Sequence, residues 1–300
     1  MPSIDEKSFD VRDARFEAVI ACDLAIERLG TGFGFTEGPV WDERNKQLIF
    51  SDMKHDWMRC WSPSNGIATF RRPCNKANGN AFDAQGRLLS CEHATSLVVR
   101  QTPQGALEVV ASHFEGKELN SPNDIVVKSD GAIYFTDPTY GRIREDLGLL
   151  RKQELAFQGV YRVSADGSGL RLLAGDFEQP NGLCFSVDES ALFVNDTMRK
   201  HIRRFDVLPD GSVAGGNVWA QTIGEGPGVP DGMKVDVAGN LFCTGPGGIH
   251  VFDTAACLLG VICLPERPAN FTWGGDDHCS LFVTATTSLY RLQTRLPGRV

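Results

Sequence analysis

The sequence predicts an all-β protein, a six-bladed β-propeller with four-stranded blades and a central metal-binding channel. Three observations carry that expectation: a hairpin-like segment recurs six times, the copies are spaced widely enough for two further strands each, and a segment between residues 18 and 30 can close the ring.

The six copies are EGPVWDERNKQLIFSD from Glu37, NGNAFDAQGRLLSCEH from Asn78, NDIVVKSDGAIYFTDP from Asn123, NGLCFSVDESALFVND from Asn181, DGMKVDVAGNLFCTGP from Asp231 and NFTWGGDDHCSLFVTA from Asn270. Each opens on Glu, Asn or Asp, usually followed by Gly or Asp, and then runs through mostly apolar positions. A turn-forming pair follows at a fixed offset: Arg44-Asn45, Gln85-Gly86, Asp130-Gly131, Asp188-Glu189, Ala238-Gly239 and Asp277-His278. A second strand then begins, such as LIFS, IYFT or LFVN. The openers are 41, 45, 58, 50 and 39 residues apart, and a four-stranded blade occupies roughly 40–45 residues.

The outer strands are visible where loops are short, as in HIRRFDVL and GVYRVSA. AVIACDLAIERLG is expected to pair with SLYRLQTRL at the end of the chain, which removes the open sheet edges. The domain reading is therefore an N-terminal arm over 1–16 and one propeller over 17–300. The longest interval holds an insert, TYGRIREDLGLLRKQELAFQG, which reads either as a lid over the channel or as a solvated loop.

With 300 residues, 42% hydrophobic and 23% charged, the chain can bury a full core. A net charge of −8 argues against binding a phosphate backbone, which needs clustered Lys and Arg. The opening MPSIDEKSFDVRDARF is charged and has no apolar core, and no apolar run approaches the roughly 20 residues of a membrane helix. The expectation is a cytoplasmic protein without membrane or nucleic-acid partners, a monomer or weak homodimer. Nine cysteines without a CxxC pair, several inside apolar strands, read as small buried hydrophobes.

In a propeller the innermost strands line the channel, so Glu37, Asn78, Asn123, Asn181, Asp231 and Asn270 should converge on one rim. Two carboxylates held together there repel each other unless a cation or proton compensates. Glu37 and Asp231 with the amide oxygens of Asn123 and Asn181 form a hard donor set for one divalent cation. Calcium is the first choice, with Mg2+ or Mn2+ next, and Zn2+ is less suited because the ring lacks His and Cys. The competing reading is that Asn and Asp merely cap turns, yet Glu37 has poor turn chemistry.

The returning strand brings Asp52, His93, Asp137, Asp196 and Gly245 to the same end, where they are expected to surround the mouth of the pocket. His93 is a candidate for substrate binding or proton relay. Asp137 and Asp196 suit the holding of hairpin ends through backbone N–H groups. Tyr140 can offer a hydroxyl or a ring face to a ligand. Asn78 and Asn270 are the remaining ring candidates for substrate contact.

The motifs EGPVW, FEGKELNSPND, YFTDPTYG, QPNGLCFS and PDGMKVD, taken together from about Gly32 to Arg291, resemble the senescence-marker-protein, gluconolactonase and luciferin-regenerating-enzyme family. The likeness is greatest to its bacterial gluconolactonase branch. This resemblance implies a six-bladed propeller with a divalent cation in the channel, held by Glu37, Asn123, Asn181 and Asp231, with Asp231 also the general base. It also implies a small-molecule lactone substrate, hydrolysed by polarising the carbonyl and attacking it with water. Either a free Asp231 oxygen or a cation-bound water would supply the base. Animal members carry an arginine where this chain has Ser121, so their sugar preference does not carry over. The alternatives are hydrolysis of other esters or phosphotriesters on the same site, and a non-catalytic binding propeller with a structural cation.

Overall fold

In each hairpin the second strand is apolar almost without a break, which requires both of its faces to be covered. A computed structural model, which describes residues 8–299, shows what covers them. Six antiparallel sheets of four or five strands stand side by side, four of them built wholly from consecutive strands and the last two completed by a strand from the N-terminal part; a two-stranded ribbon, His113–Phe114 with Lys117–Glu118, lies outside them. The first blade runs through Thr36–Asp42, Gln47–Asp52, Trp57–Ser62 and Gly66–Arg71. The inner strands of blades 2 to 6 are Ala77–Phe82, Ile125–Val127, Pro180–Phe185, Met233–Val235 and Pro268–Gly274. These strands touch one another in ring order, with the sixth beside the first.

Alternate side chains of each strand serve two seams. Leu48 and Phe50 pack toward blade 6 with Trp41, Trp61 and Phe282, whereas Ile49 packs toward blade 2 with Met58, Ala77 and Leu88. Phe282 in turn faces blade 1 while its neighbours Leu281 and Val283 face blade 5. The core is thus divided into six clusters, one per seam. Each fully buried Leu, Ile or Phe contributes about 1.5–3 kcal/mol through lost water contact.

The expected closing strand is present with tighter bounds: Glu27–Thr31 pairs with Ser288–Gln293 as the outermost strand of blade 6. Arg291 reinforces the closure with an ion pair to Glu27 at 2.6 Å. Of the segment expected as an arm, residues 1–7 lie outside the described residues. Phe9–Val11 adds a fifth strand to blade 5 by pairing with Leu258–Ile262, and Phe16 enters the seam between blades 5 and 6. The described part of the arm is therefore built into the propeller. Among the described residues no helix is long and apolar enough to cross a membrane.

The expected turns are also present. Left-handed backbone occurs at Gly86, Gly131, Glu189, Gly239 and His278, and in blade 1 one residue later, at Lys46. Nine free cysteines are described, Cys74, Cys91, Cys184 and Cys243 buried and Cys257 exposed.

Crowding at the axis explains the Gly after most openers. A Cβ on Gly38 would lie 1.8 Å from the Asn78 carbonyl oxygen, and one on Gly79 would lie 2.4 Å from that of Asn123. Gly182 stands in the same relation to the Asp231 carbonyl at 2.1 Å, and Gly232 to the Asn270 side chain at 2.2 Å. Each opener thus abuts the next blade. Gly182→Ala should therefore cost about 1–3 kcal/mol, the range for overpacking, read as a lower urea midpoint with an unchanged slope; an unaltered midpoint would show that the strands at the axis can separate.

Candidate functional site

Where the channel narrows at the start of the inner strands, a cavity of about 200 Å³ is lined by Glu37, Asn78, His93, Asn123, Asn181 and Asp231, with Tyr140, Thr197 and Arg267 among its other walls. Five of the six openers therefore converge as the repeat predicts. Bulges re-aim several of them: the ladder register shifts between Glu37 and Val40, Ala77 and Asn80, and Pro180 and Leu183. The sixth opener, Asn270, is buried but does not line the cavity. Its Oδ1 accepts the Phe271 N–H at 2.8 Å, and its side chain lies against Glu37 and Asp124.

Backbone contacts hold the ring in place. The Asp231 N–H donates to Thr244 Oγ1 at 2.8 Å, and its carbonyl accepts Asn195 Nδ2 at 2.6 Å. One Glu37 oxygen accepts the Gly38 N–H at 2.9 Å. Asn181 donates its amide to Thr197 Oγ1 at 3.1 Å, which frees its oxygen for the cavity.

His93 lines the cavity, as its candidacy for substrate contact requires, and also holds two amide side chains. It is fully buried, and burial lowers its pKa to about 4, so the ring is neutral. Its Nε2 faces the amide nitrogens of Asn78 at 3.3 Å and of Asn123 at 3.5 Å, accepting from them. The ring thereby turns the Asn123 oxygen toward the ligand space. Tyr140 has a buried hydroxyl close to Thr197 and Asn181 but bonded to neither, so a donor is left over at the cavity wall.

The residues expected at the mouth divide sharply. Apart from His93, none of them lines the cavity. Asp52 accepts the Gly34 N–H, Asp137 those of Asn120 and Ser121, and Asp196 those of Glu178 and Gln179, at 2.8 to 3.2 Å. These aspartates clasp the loop that enters each blade. A Cβ on Gly245 would meet the His250 ring at 2.9 Å, so that position forms wall, not rim. Ser121 is buried too, its hydroxyl bonded to the Pro138 carbonyl and the Gly141 N–H beneath the insert.

The electrostatics are those of crowded acids. Burial first, and then the charge of Asp231, push the Glu37 carboxyl well above the ordinary range. Burial raises Asp231 to about 7, against the opposing pull of the Arg267 guanidinium, although the residue keeps some solvent contact beside the cavity. Glu37 and Asp231 lie within hydrogen-bonding reach of each other. A third acid, Asp124, occupies the position that is glycine in four of the other blades; it is buried and raised by burial, with Lys234 opposing. The sequence signal for Asp124 was its break with the Gly pattern. Among the described residues no three His, Cys, Asp or Glu side chains gather closely enough to hold a metal by themselves, and the other oxygen donors that line the cavity include the Asn123 and Asn181 side chains.

The insert covers the cavity: Tyr140 begins a single helical turn, Tyr140–Ile143, and Arg144 and Leu147 complete the wall. Arg142 anchors it, donating to the carbonyls of Leu119, Asn120 and Lys152 and to Glu118, all at 2.6 to 2.8 Å. Arg142→Met should orphan these acceptors and cost about 2–3 kcal/mol, the scale of charged hydrogen bonds; the expected readout is early proteolytic nicking within 144–152, and wild-type resistance there would refute the anchoring role.

The comparisons with known proteins agree with this architecture. Residues 35–287 match the family model described as "SMP-30/Gluconolactonase/LRE-like region". A gluconolactonase of Zymomonas mobilis is 31% identical, covering 95% of this chain and 85% of its own. A pentonolactonase of Haloferax volcanii is 25% identical over 83% of this chain and 80% of its own. A gluconolactonase structure from Xanthomonas campestris superposes with a TM-score of 0.90 at 34% identity, covering 97% of this chain and 96% of that one. With its six blades, its ring of oxygen donors and a family match that spans most of its length, the chain belongs to the SMP-30, gluconolactonase and LRE-like family.

Proposed function

We propose that the protein hydrolyses sugar lactones with the help of one divalent cation held by Glu37, Asn123, Asn181 and Asp231. The observation that carries this reading is the pair of carboxyls, the buried Glu37 and the half-buried Asp231, held beside each other in the cavity wall with two amide side chains next to them. Such a pair must share a proton or a cation. The donors fit a hard ion, since all four offer oxygen and neither thiol nor imidazole is among them. Calcium suits them best, with magnesium and manganese next. The lactonase activities named for the relatives of similar length point to the substrate class.

A divalent cation at this position supplies Lewis-acid polarisation of the lactone carbonyl. The remaining work falls to the chain. Asp231 stands at the wall with part of its surface open, so it can take a proton from the attacking water and return it to the ring oxygen as the C–O bond breaks. The unbonded Tyr140 hydroxyl and the Asn78 amide are placed to orient sugar hydroxyls. His93, neutral and buried, accepts from the Asn78 and Asn123 amides at Nε2, carries its own proton on Nδ1, and keeps both amides in one orientation. The insert with Leu147 limits the water that reaches the cavity.

Asp231→Asn should lower kcat for glucono-1,5-lactone by about 10²–10⁴-fold, the usual share of a general base, in a protein that melts cooperatively. Retention of full activity would remove Asp231 from the mechanism. Protein stripped with EDTA should lose turnover in a pH-indicator assay and regain it with calcium, magnesium or manganese. Turnover unaffected by chelation would overturn the cation, and folded protein inactive on every aldonolactone with every ion would overturn the lactonase reading.

A further inference from the structure

Two arginines line the cavity, and they differ in how they are engaged. Arg144 comes from the insert of blade 3, where Asp146 takes its guanidinium at 2.8 Å and also takes Lys54 at 3.2 Å. Arg267 precedes the inner strand of blade 6. Both therefore reach one cavity from different blades.

The backbone at Arg267 is fixed while its side chain is left free. Glu266 accepts from Thr287 N–H, Thr287 Oγ1 and Tyr290 OH at 2.8 to 3.1 Å, and also from Ser288 Oγ. On the other side Pro268 restricts Arg267 to extended backbone, and Thr286 Oγ1 donates to the Arg267 carbonyl at 3.2 Å. The side chain is exposed at the mouth, and among the described residues no carboxylate takes it in an ion pair. Its charge acts on Asp231, yet no hydrogen bond joins them. An arginine serving only to neutralise Asp231 would be bonded to it. The guanidinium fork is held beside the acids with its donors unspent.

A fork of this kind matches a planar or tetrahedral anion through two parallel N–H bonds, which a single hydroxyl cannot use. The surroundings favour an anion as well, because beside the same cavity Lys54 and Arg144 share one acid, Asp146. Resting on the lactonase reading above, we infer that Arg267 is a specificity-determining residue and that the preferred substrates are lactones bearing an anionic group, a carboxylate, phosphate or sulfonate, on the carbon furthest from the ring carbonyl. The carbonyl end sits on the oxygen ring, and the anionic end reaches the mouth.

The test compares glucono-1,5-lactone with 6-phosphoglucono-1,5-lactone on the cation-loaded protein. The wild type should favour the phosphorylated lactone in kcat/KM by at least about tenfold, carried mostly by KM, as expected for one charge-assisted bidentate contact. Arg267→Gln should cut that ratio by about tenfold or more, and Arg267→Lys, which keeps charge but not the fork, should retain an intermediate ratio. A wild-type ratio near one, or a ratio unaltered in Arg267→Gln, would overturn the inference while leaving the lactonase reading intact. Failure to turn over either lactone would instead count against the lactonase reading. Calorimetric binding of gluconolactam and 6-phosphogluconolactam, which resist hydrolysis, then reads the contact directly. Tighter binding of the phosphorylated lactam that is lost in Arg267→Gln supports the inference, and equal binding overturns it.

Discussion

Six strands meeting around one axis leave no room for a side chain at the residue after each opener, and much of the site follows from that crowding. Gly38, Gly79, Gly182 and Gly232 each lie against the opener of the next blade or its carbonyl. The backbone can approach so closely only if the side chain just before it points into the channel. A ring of oxygen-bearing groups is therefore the product of a steric constraint repeated around the propeller. Blade 3 alone places an acid where four other blades have glycine, and Asp124 thereby adds a third buried charge beneath the ring. Blade 6 departs in the other direction, and its Asn270 is spent on holding Glu37 and Asp124.

Charge then decides what the ring can do. Buried acids without compensation are costly, and two cationic side chains stand near them, Lys234 by Asp124 and Arg267 by Asp231. Neither forms a close ion pair with the acids, so the site stays open to a mobile counter-charge. Uncharged groups refine the arrangement. The neutral imidazole of His93 sets two amide orientations at once, and Thr197 sets a third. Rigidity of this sort is what lets a small cavity hold reacting atoms in register.

The fold was legible in the sequence because a hairpin repeat with an invariant plan is a strong signal, and both faces of its second strand are buried. The openers were legible for the same reason. Which of them reach the cavity was not, since Asn270 opens its copy with the same side chain as Asn181 and the Phe271 that replaces glycine after it does not reveal what its amide meets. The aspartates at the return of the hairpin were legible in role more than in place: Asp137 and Asp196 accept backbone N–H groups as expected, yet none of the three lines the cavity. Asp52, Asp137 and Asp196 lie at the right end of the blades, but backbone N–H groups of the entering loops claim their oxygens. Arg267 and Arg144 were invisible because they come from connections outside the repeat. Thr197 lies one residue beyond the repeat as quoted. Asp124 is visible in NSPND as the acid that stands where most copies have glycine, but its burial beside the ring is not.

The strand that shuts the ring comes from residues 27–31 and its partner from 288–293, so the two halves of one sheet lie at opposite ends of synthesis. Phe9–Val11 likewise finds its place only beside Leu258–Ile262. On a ribosome, those early segments have nothing to pair with until residues 258–262 and 288–293 have emerged. Blades 1 to 4 can assemble as they appear, whereas the fifth and sixth cannot be finished without strands made long before. Circularity of this kind gives the protein a single late closing event, with a high loop-closure cost. Its partly built forms carry an unpaired sheet edge for most of the time that translation takes, which is the interval in which such edges find wrong partners.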